Sequence, residues 1–232
     1  MFGSAVTFNQ VIGSWNTTAV TDMSYMFYDA KAFNQEIGTW NSTAVTNMSN
    51  MFYGALVFNQ QIGSWNIGAV TTLSAMFYNA SAFNQPIGNW NVSKVTDTIQ
   101  MFFGSDSFNQ PIGNWDVSNV SNMKYMFSYA QKFNQDIGAW DVSKVGNMTR
   151  MFSGASVFNQ NLSKWCVANI PTMPEYFSTA SSLRSSFCKT FEFDRTSFAF
   201  STDCLRFSSS NNFSLYEVCN LLNSVRTSVK RS

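Results

Sequence analysis

Apolar and polar positions recur along this chain at a fixed spacing of 25 residues. In each repeat a phenylalanine is followed by Asn-Gln, and a tryptophan stands seven residues after that phenylalanine. The phenylalanines are Phe8, Phe33, Phe58, Phe83, Phe108, Phe133 and Phe158, and the tryptophans, which include every Trp of the chain, are Trp15, Trp40, Trp65, Trp90, Trp115, Trp140 and Trp165. Such a period predicts stacked supersecondary units in which residues of one column contact their counterparts.

The fifth repeat shows which elements the pattern predicts within one unit. Ile112, Trp115 and Val117 have the I-x-x-W-x-V spacing of a leucine-rich repeat, which predicts a short parallel strand with Trp115 and Val117 on its inner face. Apolar residues then follow from Val120 to Phe127 at spacings of three and four, which predicts a short α-helical or 3-10 segment. The sequence therefore predicts an α/β repeat solenoid, leucine-rich-repeat-like, with about seven 25-residue coils.

Two polar or small columns have structural interpretations. The asparagines from Asn9 to Asn159 are predicted to bond backbone groups of their own and the next coil. The alternative is a row of exposed amides that bind a ligand, but the adjacent phenylalanines hold this segment against the core. Gly113 and its counterparts suit a bend at which two backbones approach closely, and Gly54, Gly104 and Gly154 suit the turn that ends the helical segment.

Composition excludes several classes of function. Aromatic residues make up 16% of the chain and charged residues only 12%, with a net charge of +1 and no long basic run, so a nucleic-acid partner is not expected. Histidine is absent, which removes Ser-His-Asp and Cys-His catalysis and His-ligated zinc. None of the four cysteines forms a C-x-x-C pair, so a zinc ribbon is not expected. We predict no metal site and no cofactor. No apolar stretch approaches the length of a membrane helix, and no signal peptide is evident.

The two ends of the repeat region differ, because the N-terminal end begins within the pattern and the C-terminal end loses it. Met1 already occupies the methionine column, which predicts either a truncated sequence or an open end through which the chain pairs with another molecule, for instance in an oligomer. After Trp165 two prolines interrupt the repeat pattern. This predicts a solenoid that spans residues 1–188, with a C-terminal cap that begins at about residue 166. Residues 189–232 form a tail without period, and a capping box at 214–217 predicts a short helix at 215–225.

One family resembles this repeat closely. The string from Trp115 to Gln135, W-D-V-S-N-V-S-N-M-K-Y-M-F-S-Y-A-Q-K-F-N-Q, is similar to the BspA-like leucine-rich repeat surface proteins. It resembles in particular their 25-residue variant, a domain of unknown function first described from mycoplasma lipoproteins and also common in microalgae. The resemblance covers about residues 1–188 and implies a cell-surface or extracellular location and a role in adhesion or protein binding. It implies no catalytic residues.

A disulfide between Cys166 and Cys188 is predicted in the C-terminal cap. Cys166 stands at the outward position that Asn or Asp takes in other repeats, and Cys188 lies where the repeat has broken and the chain can fold back. The resemblance supports the pairing, because related caps also carry a cysteine in the W-C-V position. Cys204 and Cys219 remain as other partners.

The predicted function is a non-catalytic interaction or adhesion module that binds protein or glycan on its strand face. A regular array of small polar groups suits recognition by hydrogen bonds. The predicted binding residues are Asn91, Ser93, Asn114, Asp116, Ser118, Asp141 and Ser143.

Several alternatives remain open for this face and for the chain. The face is either merely solvated or part of a structural surface layer without a specific ligand. A third alternative is a glycan-acting enzyme that uses the carboxylates of Asp116 and Asp141, which are predicted to lie about 5 Å apart on neighbouring coils. The same carboxylates with Asn91 suit Ca²⁺, whereas an ice-type surface is disfavoured because the face is not a uniform threonine ladder. The rival binding surface is the column Tyr28, Tyr53, Tyr78 and Phe103, predicted on the opposite, helical side.

Overall fold

The computed structural model describes residues 2–167 and 169–170, and over this range the chain is a stack of 25-residue units built from β-turns. These residues contain neither a helix nor a strand. Five isolated parallel bridges join described residues along one column, Asp22–Asn47, Asn47–Thr72, Thr72–Asp97, Asp97–Asn122 and Asn122–Asn147. The predicted α/β architecture is therefore wrong, although the 25-residue unit and the contacts between like residues are present.

The predicted strand at Ile112–Ser118 is replaced by two turns. The N–H of Trp115 donates to the carbonyl of Ile112 at 3.1 Å, and the N–H of Val120 donates to that of Val117 at 2.9 Å. Between them, the carboxylate of Asp116 accepts the N–H of Ser118 at 3.2 Å. This side-chain acceptor takes a backbone donor that a strand would use to pair with its neighbour, and so favours a turn.

The predicted helical segment is also a series of turns. The N–H groups of residues 126, 128 and 130 donate to carbonyls three residues earlier, while those of residues 125, 127 and 129 donate to carbonyls of the next unit at 2.8–3.0 Å. A helix would instead use every one of these donors within the same segment. Tyr125 and Tyr129 have φ angles of 57° and 58°, the left-handed region that the third residue of a type II turn requires and a helix excludes.

Aromatic columns form the core of the stack. Trp40 and the tryptophans after it are at most 4% exposed, whereas Trp15, at the edge of the described stack, is 41% exposed. Each buried indole N–H donates to the carbonyl of an isoleucine in the preceding unit, as Trp90 does to Ile62 at 3.1 Å. The predicted internal tryptophan column is thus confirmed from Trp40 onward.

The ring columns have different spacings from one unit to the next. Tryptophan rings of neighbouring units have centroids 6.3–6.5 Å apart in four pairs, Trp15–Trp40, Trp40–Trp65, Trp115–Trp140 and Trp140–Trp165. The column that starts at Phe2 has a spacing of 5.6–5.9 Å, and the column that starts at Tyr28 has 4.3–4.6 Å. In all three columns nearly every pair of rings is close to parallel, so the same side-chain conformation repeats along the stack.

The close approach predicted at the glycine column is confirmed. A Cβ added to Gly13 would lie 2.7 Å from the carbonyl oxygen of Glu36, and one added to Gly38 would lie 2.5 Å from that of Gln61. Both distances are shorter than carbon–oxygen contacts allow, so the next unit packs directly against the glycine backbone. The stack depends on glycine at this position for that reason.

Three predictions lie outside the described residues. These are the C-terminal cap beyond residue 170, the tail at 189–232 with its helix at 215–225, and the participation of Cys188 in a disulfide. Cys166 itself is disulfide-bonded. Within the described part of the chain, no helix has the length and apolar character needed to cross a membrane.

Candidate binding surfaces

The predicted binding residues lie on a row of identical turns, which we call the Asx ladder. In six successive units, Oδ1 of an Asn or Asp accepts the backbone N–H of the residue two positions later, at 3.0–3.2 Å. The ladder consists of Asn16, Asn41, Asn66, Asn91, Asp116 and Asp141. Each hydrogen bond holds the side chain in one conformation, so the row is preorganised.

The structure places six of the seven predicted residues at two equivalent positions of neighbouring units, Asn91, Asp116 and Asp141 at one and Ser93, Ser118 and Ser143 at the other, on turns rather than on a strand. Asn91 and Asp116 are exposed, and Asp141 is half-buried. Ser93 also donates its hydroxyl to Oδ1 of Asn91 at 2.7 Å. Asn114 is exposed but belongs to the preceding turn. The groups that remain for a ligand are therefore Nδ2 of the asparagines and the second carboxylate oxygen of the aspartates.

A lysine and an amide flank the acidic end of the Asx ladder. Asn119 donates Nδ2 to the carbonyl of Ser93 at 2.8 Å, and its Oδ1 accepts a hydrogen bond from Nζ of Lys144 at 2.6 Å. Lys144 directly follows Ser143 of the next turn. Carboxylate, amide and ammonium groups thus alternate along this face, which suits a polar ligand of low net charge.

The asparagine column from Asn9 to Asn159 forms a second polar row, as predicted from the sequence. Oδ1 of Asn84 accepts the N–H of Asn109 at 3.0 Å and Nε2 of Gln110 at 2.9 Å. The same arrangement recurs between each pair of neighbouring units from Asn9 to Gln160. The column is half-buried or exposed rather than fully buried. Its side chains join successive units, which confirms the structural interpretation.

Replacing Asn84 with alanine is expected to lower the free energy of unfolding by about 1 kcal/mol, because the N–H of Asn109 loses its acceptor while water can still reach it. Asn84→Asp retains both acceptor contacts and should lose less stability. Urea denaturation followed by circular dichroism measures the difference. Equal losses in the two variants would show that the amide acts through its Nδ2 group instead.

Two carboxylates of the bridge column have shifted pKa values. Hydrogen bonds from the hydroxyl and the backbone N–H of Ser24 lower the pKa of Asp22. Burial raises the pKa of Asp97, against the opposing effect of the N–H of Ile99, which donates to it at 3.0 Å. Both side chains accept the N–H two residues on, as the Asx ladder does, so their role is to form turns.

The rival surface is a stack of aromatic rings that we call the aromatic ladder, Tyr28, Tyr53, Tyr78 and Phe103. Neighbouring centroids lie 4.6, 4.3 and 4.5 Å apart, and the rings are half-buried. Within the ladder each ring covers a face of the next, so ring edges and hydroxyl groups are what solvent reaches. Sugars stack on ring faces, and this arrangement therefore favours packing over sugar binding.

The surroundings of the aromatic ladder are aromatic and cationic. Phe103 contacts Tyr125 and Tyr129 edge-on, at centroid distances of 6.2 and 5.5 Å. Lys124 and Arg150 lie over the ring of Tyr125 at 5.3 and 5.8 Å. Burial, together with the neighbouring Tyr78, raises the pKa of Tyr53 to about 12. The Tyr53 hydroxyl therefore stays protonated at neutral pH.

A cavity of about 460 Å³ is lined by no residue of either ladder, and no metal cluster is found in the described part of the chain. The cavity is lined by Val11, Gly13, Asn34, Gln35, Glu36, Thr39 and Gln60. It includes neither Asp116 nor Asp141, the pair considered for glycan hydrolysis. No three His, Cys, Asp or Glu side chains among the described residues come together to hold a metal ion.

Comparison with known proteins identifies one family. Its description is a mycoplasma protein of unknown function, DUF285, and it matches residues 1–103 and again residues 80–191. No curated protein and no solved structure matches the chain. The matched residues include all six positions of the Asx ladder and the whole aromatic ladder.

Proposed function

The chain belongs to the family described as mycoplasma protein of unknown function, DUF285, and we propose that it is a non-catalytic interaction module that binds protein or glycan through the Asx ladder. The observation that carries this proposal is the same side-chain hydrogen bond in six successive units. A ligand that contacts the row would order little of the protein, because these side chains are already fixed.

The chemistry of the Asx ladder suits hydroxyl-rich or backbone ligands. Amide Nδ2 groups donate hydrogen bonds, and the free carboxylate oxygens of Asp116 and Asp141 accept them from hydroxyl or N–H groups. Hydrogen bonds to a charged acceptor contribute about 1.5–3 kcal/mol each, so the acidic end of the row supplies most of the affinity. The ammonium group of Lys144 lies beside this end of the row and can also attract a negatively charged group of the ligand.

We also propose a cell-surface or extracellular location and a role in adhesion. A relationship to the BspA-like leucine-rich repeat proteins is part of the same proposal. The disulfide at Cys166 supports the location, because such bonds persist in oxidising compartments. The repeat string Trp115–Gln135 supports the kinship.

The double variant Asp116→Ala and Asp141→Ala is expected to bind at least about tenfold more weakly to the glycans or surface proteins that the wild-type chain selects, because it loses two charged acceptors. An immobilised glycan array and pulldown from surface-protein extracts identify the probe, and titration calorimetry gives its dissociation constant. Folding should be retained, since Asp116 is exposed and Asp141 is only half-buried.

The matched control replaces hydroxyls of the rival surface, with Tyr53→Phe and Tyr78→Phe in one chain. Phe103 already occupies this column, so the stack accepts phenylalanine there. We expect this control to bind like the wild type. Unchanged binding by the aspartate variant together with loss in the tyrosine variant would assign recognition to the aromatic ladder instead.

A further inference from the structure

Tyr53 and Tyr78 stand at equivalent positions of neighbouring units with their rings in register. Their centroids are 4.3 Å apart, and the ring planes differ by only 2°. Because the rings are nearly parallel and occupy the same position in successive units, the carbons ortho to the two hydroxyl groups belong to adjacent rings whose centroids are only 4.3 Å apart. Both side chains are only half-buried, so part of each remains accessible to a small oxidant in solvent.

We propose that Tyr53 and Tyr78 form a site of oxidative cross-linking, at which a dityrosine bond joins two neighbouring units. The co-reactant is hydrogen peroxide used by an enzyme of the peroxidase class. The fold supplies the in-register pairing, which places two reactive rings together without a second protein molecule. This inference is independent of the proposed ligand and of the Asx ladder.

The chemistry balances with one peroxide for each cross-link. Each tyrosine loses one electron and one proton from its hydroxyl group and becomes a phenoxyl radical, and the peroxide takes up the two electrons and two protons to form two molecules of water. The two radicals then couple through their ortho carbons. The hydrogens on those carbons shift to the oxygens and restore two phenols, so the product lacks two hydrogen atoms relative to the starting chain.

Geometry favours this pair over the other tyrosines of the described chain. Tyr28 and Tyr53 are 4.6 Å apart with planes 14° different, and Tyr25 is tilted 40° from Tyr28 at 5.6 Å. Phe103, the next ring of the ladder, has no hydroxyl group to oxidise. Tyr125 lies beneath two cationic side chains, which disfavour removal of an electron from its ring.

The test oxidises the purified full-length chain, at low concentration, with a heme peroxidase and hydrogen peroxide. Tryptic digestion then releases the peptide from Ala32 to Lys94, in which Tyr53 and Tyr78 are the only tyrosines. We expect this peptide to become lighter by two hydrogen atoms, to show dityrosine fluorescence, and to arise from monomeric protein. A link between Tyr28 and Tyr53 would instead join this peptide to the one before it.

Two controls distinguish cross-linking that depends on the folded arrangement of the two rings from cross-linking that does not. The variant Tyr78→Phe, which the column accommodates, should fold like the wild type and yield an Ala32–Lys94 peptide of unchanged hydrogen content. Wild-type chain oxidised in concentrated urea should lose most of the intrapeptide product. The proposal is overturned if the folded chain gives mainly intermolecular dimers, a Tyr28–Tyr53 link, or as much intrapeptide product unfolded as folded.

Discussion

Replacing Trp90 with alanine is expected to lower the free energy of unfolding by about 4 kcal/mol, one of the largest effects of any single change in this chain. The side chain is only 4% exposed and packs against Phe77 at a centroid distance of 6.4 Å. Its indole N–H also satisfies the carbonyl of Ile62 at 3.1 Å. Removal therefore leaves a large cavity and a buried acceptor without its donor, in the middle of the stack.

Urea denaturation followed by far-ultraviolet circular dichroism measures this loss without relying on tryptophan fluorescence. Trp90→Phe retains a ring and should lose only about 2 kcal/mol, from the smaller volume and the missing N–H. Trp15→Ala, at a residue 41% exposed, is the matched control and should lose less than either. A loss at Trp15 equal to that at Trp90 would argue against cavity formation as the cause.

Gly38→Ala is the second large effect, with an expected loss of about 3 kcal/mol in the free energy of unfolding. The added Cβ would lie 2.5 Å from the backbone carbonyl oxygen of Gln61. The position of a Cβ is fixed by its own backbone, so neither atom can rotate away. The third unit must shift away from the second, which weakens every contact between them.

Gly146→Ala is the control for effects that any replacement of glycine by alanine has on backbone preference and on the conformational entropy of the unfolded chain. At this glycine the nearest atom to an added Cβ, the carbonyl oxygen of Ser121, is 3.9 Å away, an ordinary contact. We expect a change within about 0.5 kcal/mol. Comparable losses in the two variants would mean that glycine flexibility, rather than close approach of the backbones, governs this column.

The contacts between units could be predicted from the sequence because they depend only on the period. A side chain that recurs every 25 residues must meet its counterpart if the units stack, whatever conformation each unit has. The tryptophan column and the contact between neighbouring asparagines follow from this rule alone, whereas the close approach at Gly38 also depends on the absence of a side chain on glycine. They required no decision between helix, strand and turn.

The conformation within a unit was predicted wrongly because spacing does not distinguish turns from regular elements. Consecutive β-turns also place inward residues three and four positions apart, as between Val120 and Phe127. Tyr125 and Tyr129 adopt positive φ angles without a glycine to signal them, although Gly154, one unit after Tyr129, adopts the same region. Comparing the whole column, in which Asp29, Gly54, Asn79 and Gly104 alternate, would have revealed the left-handed position.

The candidate site was predicted in part. The recurrence of Asn or Asp with a serine two residues later identified Asn91, Asp116 and Asp141 as outward groups. The same recurrence is also a signal for side-chain turns, because a short acceptor can capture the N–H two residues on. The sequence identified the aromatic ladder as a column of rings. It did not predict that each ring covers a face of the next ring, because this depends on the distance between the rings in the folded chain.

The unequal spacing of the ring columns determines how the array grows. Pure translation would move every column by the same distance, yet four pairs of neighbouring tryptophan rings are 6.3–6.5 Å apart and the rings of the aromatic ladder are 4.3–4.6 Å apart. The relation between units is therefore a screw motion whose axis lies nearer Tyr53 than Trp65, with a rise no greater than 4.3 Å. Each added unit turns the end of the array as well as advancing it, so the number of repeats sets the direction in which the two ends face.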